Sequence, residues 1–158
     1  MSTCVCGIVC TDIHDVDYEV KLAFYFEKIA NEYSIGTKMG GNISDKVYKK
    51  YTKTQGKGGI VFELTDSPLD NNAENLFWPN DFGGADSLQC RIQRIQNLFE
   101  RLLGYKHVTK IVFETNYLFD DGNERDSIVV SQTDFCTKFT QFCLDCVFVP
   151  VLKFEITR

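Results

Sequence analysis

Short apolar runs of strand length alternate along this chain with stretches whose apolar residues recur every three or four positions. That alternation restricts the chain to layered α/β architectures with a mixed sheet, α+β being the neighbouring possibility. Cys4 to Cys10 is a continuous apolar run, and Ile60 to Leu64 and Lys110 to Leu118 read as further strands. Cys146 to Ile156 closes the series as a strand containing Pro150, which suits an edge or a bulge because proline cannot donate to a ladder. About three main helices lie between them. After a cap at Asp15 or Asp17, Tyr18, Leu22, Tyr25, Phe26, Ile29 and Tyr33 form one stripe, ended by Gly36, Gly40 and Gly41. Asp86 with Gln89 resembles a capping box, Leu88, Ile92, Ile95, Phe99 and Leu102 form a second stripe, and Gly104 supplies the stop. A third helix begins at Ser131 or Thr133 and carries Phe135, Phe139, Phe142 and Cys146 on one face. Val47 to Thr54 fits a short helix or an edge strand, and Ser127 to Val130 fits a strand pairing back after the turn at Asp120 to Asn123.

At 158 residues the chain has the size of one domain, expected to span residues 1–158. With 44% hydrophobic and 13% aromatic residues it fills a real interior, which excludes wholesale disorder. A formal charge of -5 argues against a protein that coats nucleic acid, whose footprint is basic. The start has no basic region ahead of its apolar run, so no secretory leader is expected, and no window reaches the roughly 18 apolar residues of a membrane span. The seven cysteines are odd in number and sit mostly in apolar runs, which points to reduced, buried thiols in a cytoplasmic protein.

Each pattern that suggests chemistry has a plainer reading beside it. Cys143 and Cys146 form a CxxC, but at the C-terminal end of their helix, where the helix dipole raises a thiol pKa instead of lowering it. Cys4, Cys6 and Cys10 share one strand face by parity, as core residues do, so no metal and no cofactor is assigned, a zinc or redox module being an alternative. Asp12, His14, Asp15 and Asp17 gather three carboxylates and an imidazole just after a strand, which permits acid–base work in a small-molecule or nucleotide enzyme. Aspartates before a helix are equally ordinary caps, and His107 sits in what reads as a solvated loop. The glycines at 40–41 and at 56, 58 and 59 match no phosphate loop, since no GK[ST] opens a helix.

Charge is distributed more informatively than its total. Lys38 to Lys57 holds six lysines and one acid, Asp45, whereas Gly58 to Cys90 holds six acids and neither Lys nor Arg. The acidic stretch contains the long connection Thr65 to Ala85, and loops of that length inside a domain are usually functional. Asp66, Asp70, Glu74, Asp81 and Asp86 would steer a basic partner, and Phe77, Trp78 and Phe82 would anchor it. The same aromatics would alternatively pin the loop onto the core. Tyr48 and Tyr51 interleaved with Lys49, Lys50 and Lys53 fit a nucleic-acid surface or a solvated excursion, and no direct nucleic-acid or membrane partner is expected.

In overall character, carried by the acidic and aromatic stretch Glu63 to Asp86 and not by an aligned motif, the chain resembles the bacterial immunity proteins of contact-dependent growth inhibition systems. That resemblance implies a small, non-enzymatic, cytoplasmic binder whose partner is a cognate basic protein toxin, a nuclease domain. It would act by occluding the toxin's substrate or by holding its catalytic groups.

Overall fold

Residues 5–39, 58–65, 85–115, 128–144 and 153–157 are described by a computed structural model. Strand β1 (Val5–Thr11) leads to helix α1 (Val16–Glu32), whose start is set by Asp15. The Asp15 backbone is extended (φ -145°, ψ 123°) and its carboxylate accepts the Tyr18 backbone N–H at 2.7 Å, satisfying a donor the helix itself leaves open. The expected glycine stop at Gly36 is overturned. The helix ends on Ser34, which takes the left-handed conformation (φ 57°), with Ser34 N–H donating to Asn31 O and Ile35 N–H to Ala30 O. This is a Schellman closure with serine where glycine is commonest, sealed by buried Ile35. Gly36 instead opens strand β2 (Gly36–Met39).

Strand β3 (Gly58–Thr65), helix α2 (Ala85–Leu103), strand β4 (Val108–Thr115), strand β5 (Ile128–Ser131), helix α3 (Phe135–Leu144) and strand β6 (Lys153–Thr157) follow. Helix α2 begins at Ala85, so Asp86 lies within its first turn and not at the cap. The strands form one mixed six-stranded sheet in the order β2-β3-β1-β4-β6-β5, and with the three helices it makes an α/β fold. β1 runs antiparallel to both β3 and β4, as β3 does to β2 and β4 to β6. The first four strands and two helices thus trace a split βαββαβ, to which β5-α3-β6 adds a parallel unit.

Two expectations fail at that added unit. The segment from Ser127 to Val130 does not pair back on β4, because β6 returns through α3 to take the edge of β4 and leaves β5 outermost. For the same reason β6 is an interior strand. It begins three residues after Pro150, so no proline interrupts the described ladder.

All three helices pack on one face of the sheet. Val9, Ile60, Phe62, Leu64, Ile111, Phe113, Phe154 and Ile156 meet Leu22, Phe26, Ile29, Ile92, Ile95, Phe99, Leu102, Phe135 and Phe139 in one buried cluster. Gly7 lies between Phe62 and Phe113 in the ladder, where a Cβ would meet Val112 O at 2.5 Å and the Phe62 ring at 2.6 Å. The missing side chain therefore lets two phenylalanines close over the centre of the sheet. The opposite face of the central strands is also out of water, carrying Cys6, Ile8, Cys10, Val61 and Val112 with Glu63 and Glu114 in register beside Cys6. The expected core role of Cys6 and Cys10 is met: both are buried, and burial pushes the Cys10 thiol up to about 12. Cys143 lies in α3, and Cys4 and Cys146 lie outside the described residues.

Candidate functional site

Both histidines of the chain come to the end of the sheet where β1 stops. A register shift between Cys10 and Thr11 bulges β4 at Thr109, and His107 just before it adopts a left-handed backbone (φ 72°). This turns the His107 ring towards β1, where Nδ1 meets Asp12 Oδ1 at 2.9 Å while Asp12 N–H donates to His107 O at 3.0 Å. His107 is thus half-buried and partnered, not a solvated loop residue. His14 does not join Asp12, Asp15 or Asp17 either: its Nδ1 meets Glu19 Oε1 at 2.8 Å, and Asp15 is spent as the cap. The sequence cluster is therefore divided between two separate pairs.

Around these pairs the contacts tie helix to turn. Tyr18 Oη donates to Lys106 O, and the Tyr18 ring lies edge-on to His107 at 5.6 Å between centroids. Tyr105 stacks on Tyr25 at 4.5 Å. Burial, and then Tyr105 and Asp12, push the Tyr18 phenol up to about 12. Gly58 begins β3 against the same corner, where a Cβ would fall 2.5 Å from Ile13 O and 2.8 Å from Glu19 Oε1. The hydroxyls of Thr11 and Thr109 are both engaged with backbone carbonyls, those of Ile13 and Cys10. Among the described residues each imidazole is bonded to a carboxylate, and Asp12 and His107 line an open cleft with Val108, Thr109 and Thr157. No group of three His, Cys, Asp or Glu among the described residues is arranged to hold a metal. The arrangement is a clasp joining the start of α1 to the α2–β4 turn.

A second feature lies on the outer side of α1. Val16, Val20 and Phe24 are 69%, 49% and 68% exposed, and they make up three of the four exposed large hydrophobics among the described residues. Their spacing of four sets them in an arc of about 80° on α1, turned away from the buried Leu22, Phe26, Ile29 and Ala30. A helix with apolar residues on both faces has more than one surface to cover.

Of the residues expected to meet a partner, Asp66, Asp70, Glu74, Phe77, Trp78, Asp81 and Phe82 lie outside the described residues. Asp86 is placed in α2 by its backbone. The described residues do fix where the two charge blocks attach. Gly58, which follows the lysine-rich segment, pairs with Thr11, whereas Thr65, which precedes the acidic connection, follows Leu64 paired with Val5. Those two ends of β3 are separated by roughly 23 Å of extended chain. No described helix is long and apolar enough to cross a membrane.

Comparison with protein-family models, with curated proteins and with solved structures found no match to this chain.

Proposed function

We propose that the protein is a cytoplasmic immunity protein, a non-enzymatic binder that neutralises a basic nuclease toxin through an acidic surface anchored by aromatic residues. The observation that carries this reading is the segregation of charge along the sequence, +5 over Lys38 to Lys57 and -6 over Gly58 to Cys90, of which Glu63 is buried in β3 opposite Lys38. Charge concentrated in this way on an exposed surface orients a charged partner before contact and raises its rate of encounter. Phe77, Trp78 and Phe82 then supply apolar anchors, and Asp66, Asp70, Glu74, Asp81 and Asp86 supply the steering charge.

The test is direct mixing with a basic nuclease encoded beside this chain, followed by stopped-flow association at several salt concentrations. A tight complex that blocks nuclease activity is expected. Reversing Asp70, Glu74 and Asp81 to Lys should slow association at least tenfold at low salt and flatten its salt dependence. Absence of a complex ends the proposal, and unchanged kinetics remove those three acids from the interface.

A further inference from the structure

We propose that the cleft at the end of β1 is a hydrolytic site for a small uncharged ester, with His107 as the base that activates water and Asp12 as the residue that positions it. The inference is independent of the inhibitor reading, in which the toxin is neutralised without catalysis. It assigns the same chain a second activity at a separate place.

Backbone and side chains converge on that cleft. The shift between Cys10 and Thr11 bulges β4 at Thr109, and bulges re-aim side chains beside functional sites. His107 holds a left-handed backbone (φ 72°), a conformation that costs a residue with a side chain and persists where its surroundings enforce it. Asp12 enforces it twice, because its N–H donates to His107 O at 3.0 Å while its Oδ1 meets Nδ1 at 2.9 Å. The carboxylate only accepts, so it places the imidazole proton on Nδ1 and leaves Nε2 with its lone pair. Among the described residues nothing is bonded to Nε2. The cleft beside the pair holds about 470 Å³, room for a small molecule, and Val108, Thr109 and Thr157 complete its lining.

The lining selects the substrate. None of these residues is Lys or Arg, and Lys110 beyond them is taken up by Glu155 at 3.5 Å, so a phosphate ester finds no cation and faces the Asp12 carboxylate instead. Thr109 spends its hydroxyl proton on Cys10 O at 3.2 Å, which leaves Thr157 as the lining hydroxyl able to donate to a carbonyl oxygen. Nε2 takes a proton from water as the water oxygen bonds to the carbonyl carbon. The tetrahedral intermediate then breaks its bond to the alcohol oxygen, which recovers the proton from the imidazolium. Ester and water thus give acid and alcohol with no other reactant.

The test is hydrolysis of umbelliferyl acetate by the full chain, followed by fluorescence. His14 is the internal control, since its Nδ1 also meets a carboxylate, that of Glu19 at 2.8 Å, but it does not line the cleft. His107→Asn, chosen because asparagine tolerates the left-handed backbone, should lower kcat/KM roughly 100-fold. His14→Asn should leave it unchanged. Thr157→Phe, which fills the cleft and removes neither member of the pair, should also abolish turnover. Hydrolysis should be slower in heavy water, because a proton moves in the transition state. Asp12→Ala should lower kcat, and in nitrogen NMR spectra it should release the His107 ring from the single Nδ1–H tautomer. Turnover no faster than that of free imidazole at equal concentration overturns the proposal, as does equal loss in the two histidine variants or full activity in His107→Asn or Thr157→Phe. So does an acetyl group found on His107 by mass spectrometry, since the imidazole would then attack the ester itself. Neutralisation of the nuclease should be alike in His107→Asn and wild type, so either reading can fail alone.

Discussion

Helices α1 and α2 lie on the same face of the same sheet and bury comparable side chains there, Leu22, Phe26 and Ile29 from one, Ile92, Ile95 and Phe99 from the other. Their outer sides differ. From Cys90 to Leu103 of α2 the exposed and half-exposed residues are polar apart from Cys90, including Gln93, Arg94, Asn97, Glu100 and Arg101, and Gln93 donates to Asn97 at 3.1 Å. At corresponding places α1 shows water two valines and a phenylalanine. Two helices under the same packing demand therefore show that the demand ends at the inner stripe. Among the described residues the outer stripe of α1 stays open to water. The two helices are also joined, by the pair Glu32–Arg101, in which the guanidinium holds the Glu32 carboxyl below its usual range, and by Arg101 lying over the Tyr33 ring.

The equivalence of the inner faces is the part of this comparison that breaks with the largest effect. Phe99→Ala and Phe26→Ala should each lower unfolding free energy in urea by about 3–5 kcal/mol. Phe99 should sit at the upper end, because its ring meets Phe62, Phe113 and Phe135, whereas that of Phe26 meets Phe62. A loss below 1 kcal/mol at Phe26 would mean that α1 is docked by something other than its buried stripe.

Alkali should act next, on α1 and the strand beside it. The Tyr18 phenol on α1 and the Cys10 thiol on β1 are both pushed up to about 12, from ordinary values of 10.0 and 9.0, chiefly by burial. Each folded-state value is raised, so the neutral form is favoured in the native protein. The associated stability is intact below pH 9 and is lost as pH climbs through about 12. Melting temperatures measured from pH 8 upward should begin to fall above pH 9, and Tyr18→Phe should flatten the decline above pH 10. An identical profile in Tyr18→Phe would take the clasp out of the account.

Smaller effects sharpen the comparison further. Asp15→Ala removes the carboxylate that accepts Tyr18 N–H and should cost about 1 kcal/mol, read from the urea midpoint. Phe24→Ser, on the outer side of the same helix, should change stability by less than about 0.5 kcal/mol. A larger loss there would show that the outer stripe is structural after all.

Much of the scaffold was legible in the sequence because local rules governed it. The capping aspartate at 15, the stripes through Leu22 and Phe26 and through Ile92 and Phe99, and the apolar run of β1 follow from periodicity and side-chain chemistry alone. The departures occur where a distant partner decides. Ser34 closes α1 in a conformation usually taken by glycine because buried Ile35 anchors the turn. Strand β5 is displaced to the edge because α3 brings β6 back to β4. The Asp12–His107 pair joins residues 95 positions apart, and no local pattern announces it. The α1 outer stripe was different in kind. Val16, Val20 and Phe24 recur at helical spacing, but the heavier stripe through Leu22, Phe26 and Ile29 is the one that packs.

The position of β1 in the middle of the sheet has a consequence in time. Val5 pairs with Leu64 on one side and Thr115 on the other, so β1 leaves a ribosome well before either strand that flanks it. At ordinary rates of synthesis the second partner is complete only on the order of 5–20 s after the first strand. Throughout that interval an apolar segment rich in valine, isoleucine and cysteine has two open edges, each able to add a foreign strand. The hazard of this topology therefore lies in waiting, and it ends when β4 covers the second edge of β1.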